Sequence, residues 1–403
     1  MPRMTDNSAL IIGAGIAGLA SAMACGQSGW TVRLYERAPV FHEVGAGIQI
    51  GPNVTRILQR WGLAAALERL ACLPECLQVR SAITGRVLGR LALGQDMRQR
   101  YGAPYATIHR ADLHQLLLEA VQTRGLAQLQ LGGELMRFEA SRDGVLAELA
   151  NGQSDHADVL LGADGLWSAV RRQLLDDAAP APTGHLAYRA MLRQSDLPQA
   201  LRSAHVTVWL GPRLHAVQYP VRGGEWLNLV VIVQGDPDWL QAANGTPGQL
   251  ANWNQEADRG QLRQALDGTS CDLMALVDAA PAWRLWILCD REPMSGPGEH
   301  ASGKVALLGD AAHPMRPYLA QGAGMAIEDA AAIAQVLSVP HASVEMALQE
   351  FAQRRWSRNR QVQERSRRNG DIFHATGAVR WGRDTAMAVL GQRLLDFPWL
   401  YGR

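Results

Sequence analysis

Three clusters of residues in this sequence have types and spacings that suit work on one ligand. The first is Gly13-x-Gly15-x-x-Gly18, followed at the end of the next apolar run by Glu36. Gly13 permits a tight turn, Gly15 lets the backbone approach a pyrophosphate at a helix N-terminus, and Gly18 lets that helix pack closely on its strand. Glu36 can accept hydrogen bonds from a ribose diol and disfavours a 2'-phosphate there. The other two are acids that close apolar runs, Asp164 in "HADVLLGADGLWSAV" and Asp310 in "GKVALLGDAAHP". Ligands of open parallel sheets sit outside the carboxyl ends of the strands, so both acids are expected to face the crevice of the glycine loop. Either acid alone is explained as a cap on the helix that follows it. Together with the glycine loop they argue for one dinucleotide gripped at three strand ends.

These residues must be carried by strand-loop-helix units. "ALIIGAGIAGLASAMACGQSGWTVRLYER" reads as a buried strand, a turn, an Ala-rich helix and a second strand. The middle of the chain has another character. "HVTVWLGPRLHAVQYPVRGGEWLNLVVIV" reads as strands joined by turns at "GPR" and "RGGE". Alternation along its central strand puts His215, Val217 and Tyr219 on one face and Leu214, Ala216 and Gln218 on the other. A histidine in such a strand is either a structural imidazole satisfied within the sheet or a group that exchanges protons near neutral pH.

Composition narrows the class. At 403 residues the chain is long for one core, and two intimately joined domains are expected. With 47% hydrophobic and 19% charged residues and a net charge of +1, it lacks the footprint of a disordered or nucleic-acid-binding chain. A small-molecule partner is expected. The one lysine, Lys304, leaves 38 arginines among 39 basic residues, so nearly every fixed cation is a planar fork suited to carboxylates and phosphates. Five dispersed cysteines imply no disulfide framework and fit a reducing cytoplasm. Cys72 and Cys76 in "CLPEC" have no second pair or histidine near them, and no metal is assigned. Residues 9 to 30 are uncharged, but four glycines between Gly13 and Gly26 make a poor membrane anchor or leader.

The combination of the glycine loop with its terminal acid, "HRADL" at 109 to 113, the Asp-Gly motif and the late "GDAAHP" resembles the single-component FAD-dependent aromatic hydroxylases over nearly the whole chain. "EVGAGIQIGPNVTRIL", "YGAPYATIHRADLH", "GPRLHAVQYPVRGGEWLN" and "DREP" look like the branch with 3-hydroxybenzoate 6-hydroxylase and salicylate hydroxylase. The resemblance implies an α/β fold, with a discontinuous Rossmann-like FAD domain and a mixed-sheet substrate domain. It also implies roles. Gly13, Gly15, Gly18, Glu36 and Arg37 match the ADP-binding part, Arg110 lies near the flavin and its phosphates, Asp164 serves FAD and nicotinamide coenzyme, and Asp310 holds the ribitol. Gly322 and Ala323 begin a helix whose positive end points at the flavin. His215 matches the substrate base of the 3-hydroxybenzoate branch.

The implied chemistry is hydroxylation of a small aromatic acid with O2 and NADH or NADPH, through a flavin hydroperoxide. A base of pKa near 7 makes a phenol electron-rich. One departure bears on the substrate: Pro317 stands where the 3-hydroxybenzoate enzymes have a substrate-binding Gln. Arg316 beside it is a candidate carboxylate anchor. Gln49 falls where pyridine-hydroxylating relatives carry His, and Tyr219 is a further candidate contact. Aminobenzoates and hydroxynicotinates are alternative substrates. A non-hydroxylating FAD-binding redox protein and a colourless nicotinamide dehydrogenase are competing readings.

The FAD domain is expected to use 1 to 75, 105 to 180 and 281 to 370, and the substrate domain 76 to 104 and 181 to 280. An apolar C-terminal segment, 371 to 403, packs on the body or on a second subunit, leaving a homodimer open. His313 is read as a brace for its loop. "QRRWSRNRQVQERSRRNG" is read as the solvated face of a long helix. Neither a nucleic acid nor a membrane is an expected partner.

Overall fold

The apolar strand Ser8–Ile12 is buried over almost its whole length, as a central parallel strand must be. It pairs in parallel with Thr31–Glu36 on one side and Val159–Gly162 on the other, and Val159–Gly162 pairs in parallel with Val305–Leu307. Register places Ile12 opposite Gly162 and Gly162 opposite Leu307, so the three strands that precede the three motifs end side by side. Gln128–Leu131 and the antiparallel Ala301–Ser302 complete a six-stranded sheet. A smaller antiparallel sheet, Leu135–Ala140, Val145–Leu149 and Ser154–Ala157, shares a hydrophobic core with Leu10, Leu160 and Val305. Just before the strand Val305–Leu307, the lone lysine, Lys304, is buried, and its ammonium donates to the Arg142 carbonyl at 2.6 Å.

This computed structural model describes residues 7–41, 45–235 and 255–402. They fall into two compact units, the first drawing on 1–43, 113–181 and 290–366 and the second on 44–112, 182–289 and 367–403. The second is built on an eight-stranded sheet in the order Gln255–Glu256, Arg284–Asp290, Ala181–Arg193, Trp226–Gln234, Leu214–Val221, Val206–Gly211, Cys76–Ser81, Val87–Ala92. It is mixed, because Val206–Gly211 runs parallel to Cys76–Ser81 and antiparallel to Leu214–Val221.

The units divide the chain differently from the expected boundaries. Segments 44–75 and 105–112, expected with the glycine loop, belong to the second unit. There Gly47–Ile50 pairs with Ala106–His109, and Gly47 N–H donates to Asn228 Oδ1 at 2.7 Å. The strand Arg284–Asp290 joins the eight-stranded sheet, which takes 281–289 with it. The C-terminal segment packs on its own unit. Helices Gly377–Leu390 and Gln392–Leu395 lie against Val87–Ala92, and Pro398–Tyr401 lies against Pro52–Arg60, where Arg56 donates to the Tyr401 carbonyl at 2.6 Å. Within the expected 181–280 segment, 236–254 lie outside the described residues.

Candidate active site

The glycine loop does three separate jobs. Gly13 has φ of 98°, a left-handed conformation that glycine adopts freely, and a methyl there would lie 2.5 Å from the Ala163 carbonyl oxygen. A methyl on Gly18 would collide with the Gly13 carbonyl, so the helix Ile16–Gln27 approaches its strand only with glycine at that turn. Gly15 is different. Its φ is −69°, open to any residue, and a methyl there would meet nothing within 4 Å. Neither conformation nor packing asks for glycine at 15, which leaves close approach of a ligand as the reason for it. The helix that starts there has no side-chain cap and no acid in its first turn, so its N–H groups stay available to phosphate. The residues present therefore fit a dinucleotide. Gly18→Ala is expected to cost on the order of 1–3 kcal/mol of stability, whereas Gly15→Ala should keep the wild-type melting profile of the FAD-free protein and purify with less FAD. Melting curves and the ratio of flavin to protein absorbance check both.

Glu36 has already placed its carboxylate, accepting from Ala14 N–H at 2.8 Å and Ala38 N–H at 2.9 Å, with lone pairs left for a ribose. Arg37 is exposed beside it. His114, in the "HRADLH" stretch, is a brace not singled out from sequence: its Nε2 lies 2.8 Å from the Ala14 carbonyl.

Asp164 is used in the way a helix cap is used. It accepts from Ser168 Oγ at 2.5 Å and from the N–H groups of Ala169 and Val170 at 2.7 and 3.1 Å, at the start of Ala169–Leu175. Burial raises its pKa against the pull of those donors. From the same helix Arg171 reaches to the third loop, donating to the carbonyls of Ala311 and Ala312 at 3.1 and 2.7 Å. A methyl on Gly322 would have Asp310 Oδ1 as its nearest neighbour, at 4.0 Å, so the Asp310 carboxylate stands at the uncapped N-terminus of Gly322–Leu337, with Ala323 next in that turn.

Under this loop lies a buried polar network. His313 Nε2 is 2.5 Å from Asp329 Oδ2, which also accepts from Gly309 N–H, and Asp329 Oδ1 accepts from Arg355 Nε at 2.7 Å. Burial alone would raise the Asp329 pKa, but the charges of His313 and Arg355 hold it well below the usual carboxylate range. His300, His313 and Asp329 bring ligand atoms within 4.8 Å of one another, yet Arg355 already supplies the counter-charge and the arrangement reads as a loop anchor. The Arg-rich helix Val344–Phe373 is thus more than a solvated face. Arg355, Asn359, Gln363 and Ser366 form a buried stripe at steps of four, four and three, and Gln363 and Ser366 donate to the carbonyls of Pro314 and Arg316. Those bonds hold the loop in which Pro317 opens a short turn with its fixed φ. Arg316 itself donates to Asp290 at 2.8 Å, so its charge is already balanced within this unit, which weakens its candidacy as a substrate anchor.

In the second unit, register across the sheet aligns Ala187, Ile232 and His215 and, four residues on, Met191, Asn228 and Tyr219. One face therefore carries His185, Arg189, His215, Val217, Tyr219 and Asn228. His215 is buried, and its Nδ1 lies 2.7 Å from Nε2 of His374. Burial first, then His374 and His185, push its pKa well below 6.5, so the ring is neutral at pH 7. Gln49 accepts from Tyr105 Oη at 2.7 Å and is also hydrogen-bonded to Tyr219, whose pKa burial raises well above the ordinary tyrosine value. Arg189 stacks over Trp286, its cation 5.2 Å from the ring centroid, and burial, reinforced by Arg110, lowers its pKa to about 10. Arg110 opens the helix Arg110–Thr123, its N–H donating to the Ala46 carbonyl at 2.8 Å.

His185, Arg189, Tyr105 and His374 were not singled out from sequence. Period-2 alternation in "HLAYRAML" puts His185 and Arg189 on one face, and that signal was available. Nothing local marks His374, which follows the long helix 159 residues after its partner.

A glycine loop, three adjoining strand ends and an uncapped helix beside the third define a dinucleotide-binding unit of the Rossmann type. Residues 6–366 match the family model for the FAD binding domain. The chain is 36% identical to 3-hydroxybenzoate 6-hydroxylase of Polaromonas naphthalenivorans (strain CJ2) over 406 aligned residues, covering 99% of this chain and 98% of that one. It is 37% identical to 3-amino-4-hydroxybenzoate 2-monooxygenase PtmB3 of Streptomyces platensis, covering 97% and 95%. Among solved structures, a salicylate hydroxylase substrate complex superposes with a TM-score of 0.81 at 26% identity, over 98% of this chain and 95% of that one. The chain belongs to the FAD binding domain family and is an FAD-dependent aromatic hydroxylase, a flavoprotein monooxygenase supplied with electrons by NAD(P)H.

Proposed function

We propose that this enzyme hydroxylates a small hydroxylated aromatic carboxylate, of the 3-hydroxybenzoate or aminohydroxybenzoate kind, with His215 taking the phenolic proton. The observation that carries the reading is the single sheet face on which a neutral buried imidazole, a half-buried guanidinium, Arg189, and the hydroxyl of Tyr219 stand together. A phenol needs the first, a carboxylate the second, and ring placement the third. The relatives' names supply the same class of substrate. Bound FAD supplies hydride acceptance and oxygen activation. Over the whole reaction one oxygen atom of O2 enters the ring, the other leaves as water, and NAD(P)H is oxidised. Gly15, Glu36, Asp310 and the N-terminus at Gly322 and Ala323 would hold the cofactor, and Gln49 and Tyr219 would orient the ring.

The reading places the enzyme in the cytoplasm, where its five free thiols stay reduced. No helix among the described residues is long and apolar enough to cross a membrane. The test is NAD(P)H oxidation, oxygen uptake and product analysis with 3-hydroxybenzoate, 3-amino-4-hydroxybenzoate, salicylate, 4-hydroxybenzoate and 6-hydroxynicotinate. One of the first two is expected to accelerate oxidation and appear with one added hydroxyl. Acceleration by the pyridine alone, or by none, would remove the substrate class.

A further inference from the structure

The glycine loop is held from outside as well as by its own glycines. Ala14, between Gly13 and Gly15, is buried, and both of its backbone groups are engaged: its N–H donates to Glu36 Oε2 at 2.8 Å, and its carbonyl oxygen lies 2.8 Å from Nε2 of His114. A carbonyl oxygen only accepts, so Nε2 of His114 carries the hydrogen and the ring is the donor. His114 is the polar member of an otherwise apolar stripe. Leu117, Leu118 and Val121 follow it at helical steps on Arg110–Thr123, and packing alone asks for another hydrocarbon there. The imidazole is buried, with the Phe41 ring tilted against it at 6.1 Å between centroids.

That bond sets the direction of the next donor. The Ala14 carbonyl and the Gly15 N–H belong to one planar peptide group, and no described peptide bond is cis, so they point in opposite directions. Holding the carbonyl on the His114 side therefore aims the Gly15 N–H to the other side. Among the described residues nothing accepts from that N–H, the helix Ile16–Gln27 beyond it has no side-chain cap, and a methyl on Gly15 would meet nothing within 4 Å. A donor without an acceptor, an uncapped helix end and open room coincide at one peptide.

The geometry points to His114 as a positioning residue for the cofactor, one that locks the Ala14–Gly15 peptide with Gly15 N–H turned toward a pyrophosphate oxygen of FAD. Glu36 locks the peptide before it through Ala14 N–H, so the loop meets its ligand with neither group left to reorient. No covalent bond is made or broken, and no proton leaves the ring. The inference rests on the reading of Gly15 as a cofactor contact and is independent of the base assignment.

Its test follows FAD and two fragments of it on the full chain, so that no turnover is needed. Holoenzyme is diluted and the released FAD is read by its fluorescence, which gives Kd, and ADP and adenosine are then titrated as competitors. His114→Phe keeps a ring but loses the donor, while His114→Gln sets an amide N–H close to where Nε2 stood. His114→Phe is expected to weaken FAD and ADP alike, each about tenfold, and to leave adenosine, which carries no phosphate, unchanged. His114→Gln should recover most of the loss. A His114→Phe variant with wild-type FAD and ADP constants would overturn the inference, and so would one that weakens adenosine as much as ADP, since His114 would then only hold up the fold around the adenosine. If His114→Phe does not fold, His114→Asn replaces it, its shorter amide stopping short of Ala14; ADP constants equal to those of His114→Gln would overturn the inference equally. Gly15→Ala separates the two readings. If it binds ADP as the wild type does, the Gly15 contact fails and the role of His114 with it. If it weakens ADP and His114→Phe does not, the contact stands and the positioning role alone fails.

Discussion

A His215→Ala variant is expected to keep its FAD and fold but to form hydroxylated product about 10²- to 10⁴-fold more slowly at pH 7, the usual worth of a positioned general base. The side chain is buried within a sheet whose neighbouring strands are paired along their whole register, so loss of the imidazole leaves the backbone ladder intact. The pH profile carries the sign. His215 is held neutral, and therefore able to accept a proton, across the neutral range, so the wild-type rate should be nearly flat from pH 6 to 8. The variant depends on phenol that ionises in solution, near pH 10, and its rate should climb with every pH unit toward that value. Quenched product analysis across pH 6 to 9 decides it, and a variant as fast as wild type at pH 7 would end the base assignment.

Arg355→Leu is the stability counterpart. The guanidinium binds Asp329 and Glu328, each at 2.7 Å, and accompanies Asn359, all of them buried. Removing one partner of a buried pair strands the other charge, at a cost of about 3–5 kcal/mol, a large part of a domain's 5–15 kcal/mol. Weaker expression, a lowered melting temperature and loss of FAD are expected together, because the same Asp329 holds Gly309 and His313. Arg355→Lys, which keeps the charge without the fork, should recover only part of the loss. The same network sets the response to acid. The folded pKa of Asp329 is depressed, so its contribution is complete above the unfolded carboxylate value and fades only in strong acid. His300, lowered to about 4 by burial, acts earlier. Below pH 6.5 the unfolded chain takes up a proton that the folded one refuses, so His300 alone removes roughly 1.4 kcal/mol of stability per pH unit until about pH 4, and buried His215, lowered likewise, steepens the fall. Urea titrations at pH 7.5, 6 and 5 measure that slope.

The parts of the molecule that were legible in its sequence are those whose reasons are local. A glycine that must turn, one that must be packed against and one that must leave room are encoded within six residues, and the structure assigns those three reasons to Gly13, Gly18 and Gly15 separately. Alternation placed His215 and Tyr219 on one face before any register was known. What stayed hidden depends on partners far away in the chain. Asp164 and Asp310 look alike as acids after apolar strands, yet one turns its carboxylate into its own helix and the other stands at the start of a different one. The stripe of Arg355, Asn359, Gln363 and Ser366 was masked by the exposed arginines between its members, since polarity marks both a wet face and a buried hydrogen-bonded one. The grouping of segments was hidden for a similar reason: the four-residue strand Gly47–Ile50 pairs with Ala106–His109, and its Gly47 N–H reaches Asn228 of the eight-stranded sheet, 181 residues on.

The burial of Lys304 has a practical consequence. Amine-directed reagents find one side-chain target in these 403 residues, and its ammonium is hydrogen-bonded to Arg142 beside a sheet edge. Acylation or cross-linking of the native protein therefore waits on local opening at Val305–Leu307, the strand that leads to Asp310. The lone side-chain amine acts as a chemical clock for that edge, running faster whenever the third loop loosens.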